Sequence, residues 1–461
     1  MCMKKILVTL LIACCLSLMM SCSKTAFLDQ KPNSAIIIPT TLPELRAMLD
    51  YTQVFTFSPG LGEMAADDYY MLPVNWQALS SVVERNSYTW ESDLYSNQLS
   101  VADWSVPYQQ ILYTNIVLEQ LEKIKPGASE IREWEDIKGA ALFNRAWALS
   151  TLVQHFAGAF DSASMNTAPG VPIRLTTDVK NNIPRNSIKE CYDQVFNDLT
   201  NAAKLLSPVV PAIAKNRPSK PAAYALAARN ALLTGQYEKA KNYADSSLLL
   251  YNYLTDYNSI STTAITPFDR SMPEVLYYCQ AISRYSILQT TSTTVFADTS
   301  LYRSYNMNDL RRSIFFRTIS GSNIGFKRGY SGTTLSFTGL ATDEVFLIRA
   351  EAMARIGQTN IALNDLNTLL QKRWRTGTFI PVTAINAADL LSKIIIERRK
   401  ELVWRGLRWQ DLKRYNKIGA NLQLQRILGT DNYILDPGSN KYIFPIPQEE
   451  ISLSGIIQNP R

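Results

Sequence analysis

The chain carries one histidine, His155, and six cysteines among 461 residues. A single imidazole and no cysteine cluster leave a zinc site without donors. EF-hand spacing, a phosphate-cradling Gly-rich loop and a Gly-x-Ser-x-Gly elbow are all missing, which removes the reaction classes those motifs serve. His155 closes the run Leu152-Val153-Gln154-His155-Phe156 and reads as a satisfied histidine at a helix C-terminus rather than a general base. Asp67-Asp68 is the most conspicuous acidic pair, but sequence neighbours seldom aim at one reacting atom, and glycoside hydrolysis needs two acids facing across a cleft. Calcium bound through these oxygens stays open. The formal charge of +7 is spread without a basic block, so no nucleic-acid partner is implied. With 46% hydrophobic, 19% charged and 10% aromatic residues, the composition is that of a globular protein, long enough for two packed lobes.

The first residues differ from the rest. Lys4-Lys5, an apolar stretch from Ile6 to Met20 and small Ser21 before Cys22 read as a secretory leader, too short to span a bilayer comfortably. Leu18-Met19-Met20-Ser21-Cys22 resembles a lipoprotein box in which Cys22 becomes the acylated first residue. Leu11-Ile12-Ala13-Cys14 fits the short pattern better, yet cleavage there would leave the apolar run CCLSLMMS on the product, so Cys22 is preferred as the lipid attachment site. Several acyl chains on one cysteine anchor stably, each buried methylene contributing about 0.8 kcal/mol. Cys191 and Cys279 are then the remaining thiols. A disulfide between them is possible, and a buried free thiol is the simpler state for Cys191.

Residues 23 to 33 suit a short polar tether, and helical periodicity begins near Leu42 in LPELRAMLDY. Residues 55 to 100 show no sustained period and read as long ordered loops. Helices follow over Trp104 to Leu121, Trp134 to Phe156, Ser187 to Leu206, Pro221 to Leu233 and Thr342 to Ile356. Ser187 with Glu190 gives a capping box, and alanines 222, 223, 225, 227, 228, 231 and 240 allow close helix approach. Gly235-Gln-Tyr-Glu-Lys-Ala240 is echoed by Gly357-Gln-Thr-Asn-Ile-Ala362. A Gly C-cap with Ala five residues on is the pattern of a tetratricopeptide helical hairpin. Residues 251 to 335 form a loop-rich insertion. In the C-terminal part, Leu391, Ile394, Ile395 and Leu402 make an apolar stripe ended by Gly406, and a shorter helix carries Trp409 and Leu412. Local pairs Glu401 with Arg405 and Arg408 with Asp411 are expected, each contributing about 0.2 to 0.5 kcal/mol when exposed.

The loop MAADDYYMLPVNWQALSSVVERNSYTWESDLYSN, residues 64 to 97, interleaves rings with amides and charges. Flat rings with polar edges suit the C–H faces and hydroxyl rims of sugars. The candidates for ligand contact are Asp67, Asp68, Tyr69, Tyr70, Trp76, Arg85, Trp90, Tyr95 and Asn97, with Trp90 leaning structural. Tyr302 and Tyr305 are weaker candidates.

ERRKELVWRGLRWQDLKR, from Glu397 to Arg414, resembles the ERRxEL…EGxRWxDLKR motif of the SusD/RagB outer-membrane lipoproteins of Bacteroidetes. Phe444 to Pro447 with Gln458-Asn459-Pro460 resembles that family's PIPxxE…QNP ending. Trp104, Tyr108, Ile111 and Asn115 resemble its WxxxYxxIxxxN helix, Gly139 to Trp147 its GEAxFLRAxxY, and Asp343 to Ala352 its DEVYLxRAEA. Arg405 departs from the usual Glu before Gly, so the charge pair there is rewired.

The resemblance implies a mostly α fold: a tetratricopeptide-like α-solenoid scaffold with long loop-rich insertions. Residues 1–21 would be a lipoprotein signal peptide, 22–250 an N-terminal region carrying ligand-face loops, 251–335 the insertion and 336–461 a C-terminal SusD/RagB region. It further implies a non-enzymatic surface lipoprotein without cofactor. Such a protein binds glycan or another nutrient oligomer and hands it to a SusC-like TonB-dependent outer-membrane transporter. A tetratricopeptide-like envelope adaptor is the alternative, and a hydrolase acting through Asp67 and Asp68 a third.

Overall fold

A computed structural model describes residues 38–179 and 182–461; the leader, Cys22 and the tether lie outside the described residues. From Thr40 to Arg461 the chain is one compact unit rather than two lobes. Helix takes 47% and strand 9%, which makes the fold mostly α.

The scaffold helices are α1 (Ala102–Leu121), α2 (Ile131–Phe156), α3 (Ile188–Leu205), α4 (Lys220–Leu233), α5 (Tyr237–Leu250), α6 (Thr342–Arg355), α7 (Thr359–Gln371), α8 (Ala387–Glu401) and α9 (Arg408–Lys417). Each of α1 to α7 packs on the next, and α8 packs on α6, in a stack consistent with helical hairpins in series. α5 packs directly on α6 although about ninety residues separate them, so the insertion is spliced between neighbours of the stack.

Local chemistry explains the ends. Ser187 and Glu190 form the capping box of α3. Gly235 and Gly357 both take the left-handed conformation, at φ 68° and 82°. In each turn the residue after the glycine bonds back across it, Gln236 N to Ala231 O and Gln358 N to Met353 O. Ala240 and Ala362 are fully buried in those hairpins.

The loop reading of residues 55 to 100 is corrected in part: short helices occupy Leu61–Ala65, Pro73–Gln77 and Val82–Thr89. The first two are too brief to show a repeat. Two-stranded pairs tie this segment to the insertion, Phe57–Ser58 with Gln280–Ala281 and Tyr69–Tyr70 with Phe296–Ala297. A hairpin joins Phe316–Ser320 to Asn323–Phe326.

The C-terminal motif builds a buried lattice of charges. Arg414 grips both oxygens of Glu351, Arg398 meets Asp411, Arg229 meets Glu344, and Arg311 and Arg373 converge on Glu401. The expected local pairs therefore do not form: Glu401 serves Arg311 and Arg373, Arg405 serves Asp343, and Arg408 serves Asp67. A local pair stabilises by a few tenths of a kcal/mol, whereas leaving one of these buried charges alone costs about 3 to 5 kcal/mol, so the lattice decides. α8 ends at Glu401, and the turn to α9 passes through Trp404 and Gly406, both left-handed. Cys191 and Cys279 are both free and buried.

Candidate functional site

Asp67 and Asp68 lie in the loop after Leu61–Ala65, against α8 and α9. Arg408 donates to both oxygens of Asp67 at 2.7 and 2.9 Å, and Arg399 donates to Asp68 Oδ1 at 2.8 Å. Asp68 is only 1% exposed. Burial alone would raise both carboxyls. At Asp67 the Arg408 and then the Arg399 guanidinium outweigh burial and hold it well below its ordinary value; at Asp68 burial wins and the value rises. Both residues are thus anchors of the loop to the helical motif. Behind them Glu63 accepts the Gly406 N–H, and burial followed by the Asp68 charge pushes its carboxyl up to about 8.

Three of the expected ligand rings also turn inward. Tyr69 donates to Met64 O, Trp90 Nε1 to Ala65 O at 2.9 Å, and Tyr95 to Pro445 O at 2.7 Å. Tyr69, Tyr88 and Trp90 surround the guanidinium of Arg426, which stands 4.6, 4.1 and 5.5 Å from their ring centres. Arg426 reaches in from the hairpin Leu424–Leu428 and also donates to the carbonyls of Ala66 and Tyr69. The aromatic cage is real, but its occupant belongs to the chain. Tyr305, likewise buried, donates to Lys400 O. His155 is buried and held by Thr151 O, and burial pushes it down to about 4, so it stays neutral rather than serving as the cation the helix end would favour.

What remains at the surface is a smaller set. Tyr70 is half-buried, its hydroxyl on Asn323 Oδ1 at 3.0 Å and its ring 5.4 Å from that of Phe296. Trp76 is half-buried with Nε1 on Arg85 O, and Asn75 lies against Thr294 O. Tyr302 is half-buried under the Arg312 guanidinium at 4.3 Å, edge-on to Phe316 at the root of the hairpin that carries Asn323. The structure therefore brings Tyr70 and the short Trp76 helix to the seam with residues 291–326. Arg85 is spent on Leu79 O, and Asn97, exposed and left-handed, shares no hydrogen bond with this group among the described residues. Burial and partners are all that this arrangement shows: flat faces with amide and hydroxyl edges.

Residues 26–232 match the family model described as starch-binding associating with outer membrane, and residues 328–461 match that of the SusD family. Together they take in nearly three quarters of the chain. The chain belongs to the SusD/RagB family. A crystal structure of a SusD superfamily protein from Bacteroides thetaiotaomicron overlays with a TM-score of 0.73 at 22% identity, over 91% of this chain and 100% of that one. A SusD-like carbohydrate binding protein from Bacteroides vulgatus overlays at 0.68 and 20%, over 90% and 97%. At such identity the likeness is one of fold. The SusD-like protein P38 of Formosa agariphila is 38% identical over 79 residues, which is 16% of either chain.

Within the SusD/RagB frame the shared motif is seen to be architecture. Sequence reasoning missed Asn323, Phe296 and the anchoring of Asp67 and Asp68. A signal for the last existed: Glu397 to Arg414 holds seven basic residues against three acidic ones, so several cations had to find carboxylates elsewhere. Nothing comparable marks Asn323, because its role depends on a strand pairing across more than two hundred residues.

Proposed function

We propose that this protein binds a glycan or similar nutrient oligomer without transforming it, held to the outer membrane by lipid on Cys22 and facing the cell exterior. The bound cargo passes to a SusC-like TonB-dependent barrel. The observation that carries the reading is the seam where Tyr70, Trp76 and Tyr302 are only half-buried, with Asn75 and Asn323 beside them. Sugar rings stack on such faces while amides take their hydroxyls. Asp67 and Asp68, each committed to an arginine, are poorly placed to act as a free acid and base, which favours binding over hydrolysis. No helix among the described residues is long and apolar enough to cross a membrane, so attachment would rest on the acyl chains.

A glycan array followed by calorimetry tests the binding step. Tyr70→Ala and Trp76→Ala are each expected to weaken the best hit by tenfold or more while leaving the melting temperature within a few degrees. Undiminished affinity in both variants, or no hit on the array, refutes it. Copurification with a barrel from membranes tests delivery, and mass spectrometry of the mature N-terminus tests the lipid. The helical hairpins α4–α5 and α6–α7 favour one other reading, an inward-facing envelope adaptor; resistance to protease on intact cells would select it.

A further inference from the structure

Apart from the ligand seam, a cleft of about 270 Å³ opens between the start of the fold and the insertion, lined by Gln53, Phe57, Lys215, Asn216, Arg270, Tyr278 and Gln280 among others. Lys215, in the stretch between α3 and α4, is only 4% exposed, yet among the described residues its Nζ has neither hydrogen bond nor ion pair. Its backbone is fixed, because Tyr278 N donates to Lys215 O at 2.7 Å. Arg270 lies over the Tyr278 ring at 5.5 Å, again without a carboxylate partner among the described residues.

The two glutamine amides of the cleft are both left as donors. Gln280 Oε1 already accepts the hydroxyls of Tyr278 and Thr333, and Gln53 Oε1 accepts that of Tyr51, which leaves the two NH₂ groups as donors. Among the described residues no carboxylate lines the cleft. The nearest acids in sequence are engaged elsewhere, Asp50 by Arg217 and Asp269 by Ser271. Two cations and the two glutamine amide donors, with the Tyr278 and Phe57 rings in the same lining, complement an oxyanion carried on a ring.

We infer that this cleft is a second binding site, which takes an oxyanion substituent, carboxylate or sulfate ester, of an acidic sugar. The inference rests on the sugar-binding reading above and uses none of the residues of the seam. Burial holds the Lys215 ammonium below its ordinary value, a penalty that an anion beside it would offset.

Calorimetry with methyl β-glucuronoside, its neutral match methyl β-glucoside and inorganic sulfate as competitor tests it. The glucuronoside is expected to saturate the protein at concentrations where the glucoside does not. Arg270→Gln and Lys215→Met should each weaken it about tenfold or more. Arg270 is exposed, so its variant remains informative should Lys215→Met unfold. Competition by sulfate extends the site to sulfate esters, and its failure confines the site to carboxylates. Tyr70→Ala should retain full glucuronoside affinity, which separates this site from the seam. Equal binding of the glucoside, no binding of the glucuronoside, unchanged affinity in Arg270→Gln, or loss in Tyr70→Ala instead, each overturns the inference.

Discussion

Glu63 sits behind the loop anchors with one oxygen on the Gly406 N–H and the other without a donor. Burial, then the Asp68 charge, raises its carboxyl to about 8. In the unfolded chain a glutamate ionises near pH 4.3. Between those values the unfolded chain has released a proton that the folded chain keeps. The folded value is the raised one, so this residue's full contribution is present below about pH 4.3 and is lost as pH climbs toward 8. The slope is about 1.4 kcal/mol per pH unit. Glu63→Gln preserves the shape and the acceptor for Gly406 but cannot ionise. The variant should gain on wild type by roughly 3 kcal/mol between pH 5 and pH 7.5. Urea unfolding followed by tryptophan fluorescence at the two pH values measures the gap. A gap independent of pH would mean that Glu63 is ionised and compensated in the folded protein, and the reasoning would be wrong.

Arg414→Met leaves the buried Glu351 carboxylate, which Arg414 and Arg355 together hold down to about 2, with Arg355 alone, and should cost about 3 kcal/mol by urea titration. Arg408→Met leaves Asp67 with Arg399 alone and loosens the loop leading to Tyr70, so glycan affinity should fall several-fold although Arg408 lies outside the seam; unchanged affinity would separate the anchor from the site. Burial pushes the Cys191 and Cys279 thiols up to about 11, so both should resist a thiol reagent at pH 8 until denaturant is added. Gly339→Ala would drive its Cβ into the Tyr277 carbonyl oxygen, and a loss of roughly 3 kcal/mol is expected in the same titration.

Most of the helical scaffold was legible because its determinants are local. Ser187 and Glu190 lie three residues apart, and both glycine turns announce themselves by the alanine that follows. The short helices at Leu61–Ala65, Pro73–Gln77 and Val82–Thr89 were not legible, since the first two span only five residues and the third buries polar Glu84, Ser87 and Thr89 beside its apolar residues, which blurs the repeat. The charge lattice was hidden for a different reason. Spacing along a helix shows which residues can meet, such as Glu401 and Arg405, but not whether a stronger partner arrives from afar, as Arg311 and Arg373 do.

The rings of the loop divide into buried and half-buried on that same distinction. Tyr69, Trp90 and Tyr95 look like Tyr70 and Trp76 in composition, and what tells them apart lies more than three hundred residues later: Arg426 for Tyr69 and Trp90, and Pro445 O for Tyr95. An aromatic ring offers area to a sugar and to a guanidinium alike, so a ring-rich loop is evidence of something flat or cationic nearby, not of a ligand. The arginines claim the inner rings because a buried cation needs them. Among the described residues no guanidinium or ammonium lies over Tyr70 or Trp76, whereas Tyr302 meets Arg312, so the first two rings are the physical reason for proposing a glycan at the seam.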